Sequence, residues 1–377
     1  MRIALLSPFP PIKGGIARFS SRLQGAFEDV GCEVIPIPVR RLYPRWLLKG
    51  REILEPGAIR PSSSPFSLDL MNPFSWLVAA RNIRRLKPDV LLIAYWTGLI
   101  APLCALMRRA TGLNTVILLH NFTSHENIPG EALLKRLLTA STDGFIALSR
   151  SVEAELTDFS PNSRTLTLFH PVYEPQGGWL SKRDARLSMG LGEESKVLLF
   201  FGYIREYKGL DRLLEAMAVV LRRDQSVRLV VAGEFVIDST VFKDQAARLG
   251  IASSVDFYEG YVPSERVAAL MAAVDAVVLP YRSATQSGIV PLAFGHGVPV
   301  IASDAGALAE QVEHGRTGWI VEDPGIDALA AGILDFFRLK QSQPLDRYIE
   351  AACRKMSWSA FAAEAARFLE RCSRRAA

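Results

Sequence analysis

The chain has 377 residues, of which 49% are hydrophobic and 22% are charged. This length exceeds that of one compact core, and the composition is that of a folded globular protein, so we expect two domains and no disordered tail. Lys and Arg outnumber Asp and Glu by 44 to 39. The sequence nevertheless lacks the zinc-ligand spacing, basic helix runs and aromatic-basic signatures of nucleic-acid-binding proteins, so we expect no nucleic-acid partner.

The cysteines, Cys32, Cys104, Cys353 and Cys372, are scattered and show no CxxC or Cys/His spacing. Because a β-rich apolar run begins directly after Met1, we expect no signal peptide. Both features favour a cytoplasmic protein with reduced thiols and no bound metal. The longest apolar stretch, residues 91–107, falls short of the roughly 20 residues that cross a bilayer, and we interpret it as a buried strand followed by a helix.

Short β-rich runs alternate with segments of helical period from the start of the chain. Residues 2–7 are predicted as a strand, 17–30 as a helix and 33–39 as the next strand, which is the βαβ signature. The first half is therefore predicted to be a parallel-sheet domain. Its further strands are predicted at 89–94, 114–119 and 144–148, and its further helices at 76–86 and 131–140.

Two segments rich in Pro, Gly and Ser interrupt this pattern. Residues 55–73 are predicted as a long surface loop and 171–181 as the linker between domains. We expect a first domain at residues 1–173 and a second at 174–357. A helix predicted at 358–371 ends the periodic pattern, and we expect residues 358–377 to pack back on the first domain.

The second half repeats the alternation of the first. We therefore predict the α/β class, with two Rossmann-like, doubly wound parallel-sheet domains facing across a cleft, and ligands at the carboxyl ends of the strands. The strands of the second half are predicted at 197–201, 228–232, 255–258, 276–279 and 299–302, and its helices at 211–222, 241–249, 265–272 and 326–339.

The turn after the first strand contains Gly14 and Gly15 and leads directly into a helix. Adjacent glycines let backbone amides approach a ligand, and the start of a helix favours negative charge, although a plain strand-to-helix turn is equally consistent with the pattern. A dinucleotide site would require GxGxxG here and an acidic residue after the second strand. The chain has Arg40 and Arg41 at that place, which argues against an NAD-dependent dehydrogenase.

The second domain opens with a strand, Gly202, two cations and a helix. Arg205 and Lys208 lie in the connecting turn, and this order outlines a pyrophosphate site. A positive charge about 4 Å from a phosphate oxygen contributes about 4 kcal/mol at an effective dielectric constant of about 20, which is enough to matter for a departing nucleoside diphosphate. The alternative is that both side chains are solvated loop charges.

Several segments of the second half occur in the order seen in family 4 glycosyltransferases, which the chain resembles over the entire second domain. The resemblance extends more faintly into the first domain. In the second domain it rests on residues 202–209, 260–263, 275–280, 288–303 and 306–318, and in the first on 13–15, 87–90, His120 and 169–171.

This resemblance implies the GT-B fold and a retaining transferase with no obligatory metal. The donor would be a nucleotide sugar linked to UDP or GDP, which is a co-substrate and not a bound cofactor. The second domain would hold it, with Arg205 and Lys208 on the diphosphate. Most members have arginine directly after the glycine, where this chain has Tyr203. The resemblance also places Gly14, Gly15, Tyr261, Val262 and Glu310 at the donor.

The family's pair of glutamates, which are separated by seven intervening residues, is missing. Aligned on Gly288, their places are taken by Thr285 and Ala293. Hydroxyl and amide groups remain in this stretch, and we expect them, with the backbone amides at the helix start, to hold sugar or phosphate. Ala293 has no group for a ribose, and a simple core helix is the alternative interpretation. The donor-binding residues expected here are Thr285, Gln286, Ser287, Gly288 and Ile289.

His120 follows a predicted strand at its carboxyl end, where open α/β sheets hold ligands. Its place resembles that of the family's active-site histidine, which contacts the donor sugar near the reacting carbon. We predict His120, Arg205 and Lys208 as the catalytic residues. His125 is expected to be structural, and His170, which precedes a proline, is expected to cap a loop.

We therefore predict a retaining, metal-independent glycosyltransferase that acts on a saccharide or lipid-linked acceptor, in bacterial polysaccharide assembly. A catalytically degenerate scaffold that binds a nucleotide sugar or a partner is the alternative, and the missing glutamates favour it. Residues 40–51 mix cations with Tyr, Trp and Leu, as anionic-membrane-binding segments do, or they form an exposed basic loop. We expect a cytoplasmic protein, peripheral on the inner face of the plasma membrane if that segment binds lipid.

Overall fold

The computed structural model describes residues 1–41, 54, 68–123, 129–174, 180–284, 287–323 and 325–373. Thr285, Gln286, His125 and residues 42–51 of the expected membrane segment lie outside the described residues. The chain divides into two compact units. Unit 1 comprises Met1–His170 with Ser357–Ala377, and unit 2 comprises Pro171–Met356.

Unit 1 contains a seven-stranded parallel sheet with the strand order β3-β2-β1-β4-β5-β6-β7. Residues alternate between its two faces as the pleat of each strand requires, so that Ala4 and Leu6 enter one core and Ile3 and Leu5 the other. The strands are β1 (Arg2–Ser7), β2 (Glu33–Arg41), β3 (Leu68–Asp69), β4 (Val90–Tyr95), β5 (Thr115–Leu119), β6 (Gly144–Ala147) and β7 (Thr165–Thr167).

The helices of unit 1 cover both faces of this sheet. The first five are α1 (Gly15–Asp29), α2 (Pro73–Leu86), α3 (Ala101–Thr111), α4 (Glu131–Ala140) and α5 (Arg150–Phe159). Buried residues of α2, α3, α4 and α5 share one core cluster, and those of α1 belong to the cluster on the opposite face. The strand predicted at 2–7 and the helix predicted at 131–140 are confirmed.

Strand β3 is a correction, because we predicted residues 55–73 as a loop throughout. Leu68 pairs with Val39 of β2, and the carboxylate of Asp69 forms an ion pair with Arg41 at 2.9 Å. A strand of two residues has no periodicity to detect. Its position depends on these contacts with a distant part of the chain.

Unit 2 contains a six-stranded parallel sheet with the order β10-β9-β8-β11-β12-β13. Its strands are β8 (Lys196–Phe201), β9 (Val227–Gly233), β10 (Val255–Glu259), β11 (Ala276–Leu279), β12 (Val300–Ser303) and β13 (Gly318–Val321). Chain order reverses between β8 and β11, which makes the carboxyl ends of these two strands the switch point where α/β sheets bind ligands. The prediction of two parallel-sheet α/β domains is confirmed.

The helices of unit 2 are α6 (Lys182–Ser188), α7 (Leu210–Arg223), α8 (Thr240–Arg248), α9 (Ser264–Ala273), α10 (Ile289–Gly295), α11 (Leu308–Gln311), α12 (Ile326–Ser342) and α13 (Leu345–Lys355). They enclose two apolar clusters, one on each face of the sheet. The short turn between β8 and α7 is therefore held on a rigid, buried framework.

The last helix, α14 (Trp358–Ser373), belongs to unit 1 and packs against α1. Phe361 and Phe368 are buried in the same cluster as Phe19 of α1. The helix also approaches the sheet at Gly144, where an added Cβ would lie 3.0 Å from both Cys372 Sγ and Phe368. Gly144 therefore allows this close packing.

Candidate functional site

The turn that follows β8 in unit 2 depends on two glycines. Gly202 has φ 108° and Gly233, at the end of β9, has φ 146°, values that L side chains rarely adopt. A Cβ on Gly233 would collide with the backbone carbonyl oxygen of Gly202. The turn therefore lies directly on the end of β9, and its backbone has no room for a side chain there.

Lys208 is the central side chain of this turn. It ends a short 3₁₀ turn (Glu206–Lys208), and Gly209, with φ 72°, then leads into α7. Lys208 is 8% exposed. Its Nζ lies 5.3 Å from the centroid of the Tyr281 ring, and a Cβ placed on Gly202 would lie 3.3 Å from Nζ. The ammonium group thus points back over the glycine turn at the end of β8.

No carboxylate in the described part of the chain forms an ion pair with Lys208. Burial, together with the charge of Arg205, lowers the pKa of Lys208 to about 8. A buried cation without a counter-charge is costly, and the Tyr281 ring compensates only part of that cost. The environment of Lys208 is therefore suited to an anion.

The turn after β11 is joined to the turn after β8 by backbone and side-chain contacts. Arg282 donates its N–H to the carbonyl of Tyr207 at 2.7 Å, and its guanidinium pairs with Asp211 at 2.5 Å. A Cβ on Gly209 would collide with the carbonyl of Pro280. These contacts hold the two turns of the switch point in one fixed arrangement.

Ser287, Gly288 and Ile289 lie at the start of α10, close to this turn. The Oγ of Ser287 accepts the N–H of Ile289 at 3.3 Å, and Ile289 Cδ1 would lie 3.4 Å from a Cβ placed on Gly202. Helix α10 has seven residues, so its dipole adds little here. Ala293 is completely buried in the core, which is consistent with the absence of a ribose-binding group at that position.

The remaining donor-binding candidates of unit 2 lie on either side of the turn. Tyr261 and Val262 follow β10 and are partly buried, and Gly260 before them donates its N–H to Gly233 at 3.0 Å. Glu310 is exposed on α11, which follows β12. β10 and β12 are each two strands from β8 in the sheet order, so all three positions belong to the carboxyl edge.

Asp275, part of a family segment quoted above, is a structural residue at the opposite edge. Its carboxylate accepts the N–H of Val197 at 2.7 Å and pairs with the buried Arg186 at 2.8 Å. Lys182 and Lys340 pair with it as well. Burial opposes its ionisation, but these cations, with Lys340 first, outweigh burial and hold the pKa of Asp275 below its usual value.

In unit 1, Gly14 caps α1 and Gly15 begins it, two residues before the helix start predicted at 17. Gly14 has φ 123°, and a Cβ on either glycine would meet none of the described atoms within 4 Å. The positive φ of Gly14 explains the glycine at that position. Among the described residues, no close contact requires glycine at position 15.

His120 follows β5, and its backbone N–H donates to the carbonyl of Tyr95 at 2.9 Å. The side chain is 6% exposed and packs edge-to-face on Phe19, with ring centroids 5.0 Å apart. Burial, reinforced by His170, lowers the pKa of His120 to about 3. His120 is therefore neutral at physiological pH, and its imidazole can donate one hydrogen bond and accept another without carrying charge.

Phe19 organises this part of unit 1, and sequence reasoning missed it. His170, for which we expected a loop-capping role, is buried and packs on the same ring at 5.1 Å. Trp358, from α14, packs on it at 5.0 Å. In the sequence, Phe19 is an aromatic residue in the first two turns of the helix that follows the glycine pair. An aromatic residue at such a place is equally typical of the hydrophobic core, so this signal alone does not identify Phe19 as part of a site.

The described residues contain no group of three or more His, Cys, Asp or Glu side chains that could hold a metal ion. Among the same residues, no helix combines the length and the apolar character needed to cross a bilayer.

Comparisons with solved structures identify the fold. Sucrose-phosphate synthase from Thermosynechococcus elongatus superposes with a TM-score of 0.76 at 18% identity, over 98% of each chain. HepE from Anabaena, in complex with UDP, superposes with a TM-score of 0.75 at 19% identity, over 98% of this chain and 100% of the other. The fold of the chain is therefore the GT-B fold, with two parallel-sheet α/β units.

Family models cover most of the chain. Residues 181–355 match the model described as glycosyl transferases group 1, and residues 13–172 match that described as glycosyltransferase family 4. The chain belongs to glycosyltransferase family 4.

Curated relatives agree with this family. D-inositol 3-phosphate glycosyltransferase 2 of Catenulispora acidiphila is 39% identical over 197 residues, which are 49% of this chain and 45% of that protein, so the match spans less than half of the relative. A GDP-mannose-dependent alpha-(1-6)-phosphatidylinositol monomannoside mannosyltransferase of Mycolicibacterium smegmatis is 27% identical over 357 residues, 88% of each chain.

Proposed function

We propose that this protein transfers a sugar from a UDP- or GDP-linked donor to a hydroxyl group of a saccharide or lipid-linked acceptor. The observation that carries this proposal is Lys208, a cation that is 8% exposed and lies at the switch point beside Gly202 and Tyr281. A nucleoside diphosphate supplies the negative charge that the described surroundings of Lys208 lack.

The chemistry of the leaving group explains why a cation belongs there. When the bond between the anomeric carbon and the phosphate oxygen breaks, negative charge grows on the diphosphate. A buried cation stabilises that charge more strongly than one in water, since the surrounding dielectric constant is lower. In this proposal Lys208 binds the diphosphate directly, and Arg205, which is partly exposed in the same turn, supplies a second positive charge.

The proposed reaction proceeds with retention and without a metal ion. The acceptor hydroxyl attacks the anomeric carbon on the face from which the diphosphate departs. An oxygen of the leaving β-phosphate accepts the hydroxyl proton as the new glycosidic bond forms. Atoms and charge balance without a protein base, because the leaving group itself takes up the proton.

For His120 we propose a hydrogen-bonding role toward the donor sugar. A neutral imidazole has one N–H donor and one acceptor nitrogen, so it can orient a sugar hydroxyl. With its pKa lowered to about 3, His120 is a poor general acid near neutral pH. Positioning of the sugar is therefore the role that its environment supports.

The proposed acceptor and biological setting follow from the name of one relative. The mannosyltransferase from Mycolicibacterium smegmatis acts, by its name, on a phosphatidylinositol mannoside. Its alignment over 88% of this chain supports a lipid-linked acceptor, in the assembly of a bacterial glycolipid or polysaccharide. The same name supports GDP as the donor nucleotide, whereas the structure of HepE contains UDP.

A scaffold that binds nucleotide sugar without transfer is the second candidate. Ala293 favours it, because this position, where the family has a glutamate, is completely buried and apolar. Incubation with a panel of UDP- and GDP-sugars separates the two functions. Release of UDP or GDP, alone or with a saccharide or glycolipid acceptor, is expected of a transferase, and tight binding without turnover is expected of a scaffold.

The variant Lys208→Met tests the site itself. We expect turnover to fall at least 100-fold, since removing one electrostatic stabiliser of a developing charge commonly costs that much. The matched control is Lys196→Met, because Lys196 lies at the opposite end of β8 and pairs with Asp224 at 2.6 Å. Near-normal turnover in Lys208→Met, with the fold intact by circular dichroism, would refute the proposed site.

A further inference from the structure

Helices α2, α3 and α4 lie side by side on one face of the unit 1 sheet and carry a large surplus of positive charge. α3 packs against both of the others, and buried residues of all three belong to one core cluster. Together the three helices contain seven cationic residues and one carboxylate, Glu131. The surplus of six exceeds the net charge of +5 that the whole chain carries.

These helices and the short 3₁₀ turn before α3 (Gly98–Ile100) expose large apolar side chains. Phe74 is 78% exposed, Leu133 is 70% exposed, and Val78 and Leu99 are each 57% exposed. Seven of the twelve large hydrophobic side chains that are exposed in the described part of the chain fall between residues 71 and 137. Isolated exposed apolar residues are normal, but a concentration of this kind marks an interaction surface.

We name this surface the α2–α4 face and define it by its exposed residues. The apolar members are Phe74, Leu77, Val78, Leu99, Leu133 and Leu137. The cationic members are Arg81, Arg84, Arg85, Arg109 and Arg136.

Three of the apolar members and two of the cationic members lie toward opposite ends of these helices. α3 follows β4 and α4 follows β5, so both helices begin near the carboxyl edge of the sheet, and α2 ends near the amino edge, where β4 begins. Phe74, Leu99 and Leu133 lie at or near the starts of these segments, whereas Arg85 and Arg109 lie in last turns. These three apolar residues therefore lie on the side of the carboxyl edge, the edge at which His120 lies, whereas Leu137 lies in the last turn of α4.

We infer that the α2–α4 face docks on an anionic lipid bilayer. Apolar side chains of this size enter the boundary between headgroups and acyl chains, and arginines bind the lipid phosphates. None of the residues that define this face belongs to the membrane segment predicted at 40–51. This inference rests on exposed residues and charge, and it deepens the proposed function by bringing unit 1 to a surface where a lipid-linked acceptor would be found.

Charge and chemistry argue against other occupants. A second copy of the chain, docked through the same face, would bring the five exposed arginines of one face against the five of the other, which is strongly repulsive at short range. A nucleic acid would satisfy the arginines but would leave Leu77, Val78, Leu133 and Leu137 in contact with phosphates or water. An anionic bilayer satisfies both kinds of residue.

Sedimentation of the full chain with lipid vesicles tests the inference. We expect binding to vesicles that contain about 30 mol% phosphatidylglycerol in phosphatidylcholine, and weaker binding as salt screens the surface charge. The variant Arg81→Gln/Arg84→Gln/Arg85→Gln should lower the partition coefficient about 100-fold, because each cation near an anionic surface strengthens binding about fivefold. Phe74→Gln/Leu133→Gln should lower it at least tenfold.

Unit 2 offers matched controls for both variants. Arg222, Arg223 and Arg248 are exposed cations in the last turns of α7 and α8, and Leu187 and Val241 are exposed at 77% and 52%. Substitution of these residues by Gln should leave vesicle binding unchanged. All substituted side chains are exposed, so circular dichroism should show intact folds.

Several outcomes would overturn the inference. These are no vesicle binding at low salt, equal losses in the unit 1 and unit 2 variants, a dimer that dissociates on Phe74→Gln/Leu133→Gln, or binding to RNA or DNA in place of vesicles. Affinity for UDP and GDP, measured on the same variants, separates this result from the proposed function. Vesicle binding without nucleotide binding would refute the function and leave the docking surface standing.

Discussion

The Nζ atom of Lys208 lies 5.3 Å from the centroid of the Tyr281 ring, and this contact joins the two turns at the switch point of unit 2. The two residues follow different strands, β8 and β11, which are neighbours in the sheet. Tyr281 is 3% exposed, so the ring is a fixed surface for the ammonium group. The orientation of Lys208 therefore depends on a residue far from it in the sequence.

Replacing Tyr281 by leucine should weaken nucleotide binding. Loss of a cation–π contact of this kind costs about 1 to 2 kcal/mol when the cation is desolvated, which corresponds to about a 5- to 30-fold higher Kd for UDP or GDP. Titration calorimetry measures this change. Tyr281→Phe is the control and should bind like the wild type, and a leucine variant with unchanged Kd would show that the ring does not position Lys208.

Affinity for the diphosphate should fall as the pH rises through about 8, because the pKa of Lys208 is lowered to that value. Below this pH the side chain is charged and attracts phosphate, and above it the free protein loses the charge. Above pH 8 the affinity for UDP or GDP should fall by close to tenfold per pH unit, until the pH reaches the pKa that Lys208 has in the nucleotide complex. The test is the pH dependence of Kd for UDP or GDP by calorimetry.

Lys208→Arg provides the control for this pH dependence, since arginine stays charged throughout the range. Its affinity should not vary between about pH 7 and 10 apart from the ionisation of the nucleotide itself. The same alkaline loss in wild type and Lys208→Arg would assign the effect to another group.

Gly233→Ala should destabilise unit 2 by about 2 to 4 kcal/mol, because the new Cβ collides with the carbonyl of Gly202 in a backbone conformation that disfavours alanine. Urea unfolding followed by circular dichroism measures this loss. Gly250→Ala, with φ 71° and open space around the new Cβ, is the control for backbone strain alone. We expect it to cost about 1 kcal/mol, and equal losses in both variants would contradict the proposed close contact.

His120 should remain neutral at pH values well below the usual pKa of histidine, because burial and His170 lower its pKa to about 3. Its folded-state pKa lies below the unfolded value, so the folded protein binds fewer protons in that interval. Stability is therefore complete above about pH 6.5 and declines as the pH falls below it. Nitrogen chemical shifts of the imidazole, assigned with His120→Gln, follow this titration.

His120→Gln should reduce the dependence of stability on pH on the acid side. A His120 imidazole that gains its proton near pH 6.5 would contradict the buried environment between Phe19 and His170. It would also reopen a role for His120 as a general acid.

The sequence predicts the repeated strand-helix pattern well, since buried parallel strands are short, continuous apolar runs with clear ends. The strand predicted at 276–279 is β11, and helix α12 begins at Ile326 as predicted. Helices α5 and α13 were not predicted, because polar and charged residues obscure their apolar spacing. Strand β7 has three residues, all only half-buried, and β13 (Gly318–Val321) begins with a glycine and has two half-buried residues in its middle, so neither is a continuous buried apolar run.

For the candidate site, sequence identifies the residues that belong to the turns and misses those that hold them in place. Gly202, Lys208 and His120 follow strands, and this position alone makes them candidates. Tyr281 and Phe19 look like ordinary core aromatics in the sequence. Their contacts with Lys208 and His120 arise only when distant segments pack together, so no local pattern predicts them.

A crystal structure of the protein with UDP or GDP bound tests the central claim most directly. We expect an oxygen of the diphosphate within about 3 Å of Lys208 Nζ, above the turn formed by Gly202 and Gly209. A nucleotide bound elsewhere, or a Lys208 side chain that remains packed on Tyr281 without touching phosphate, would contradict the account.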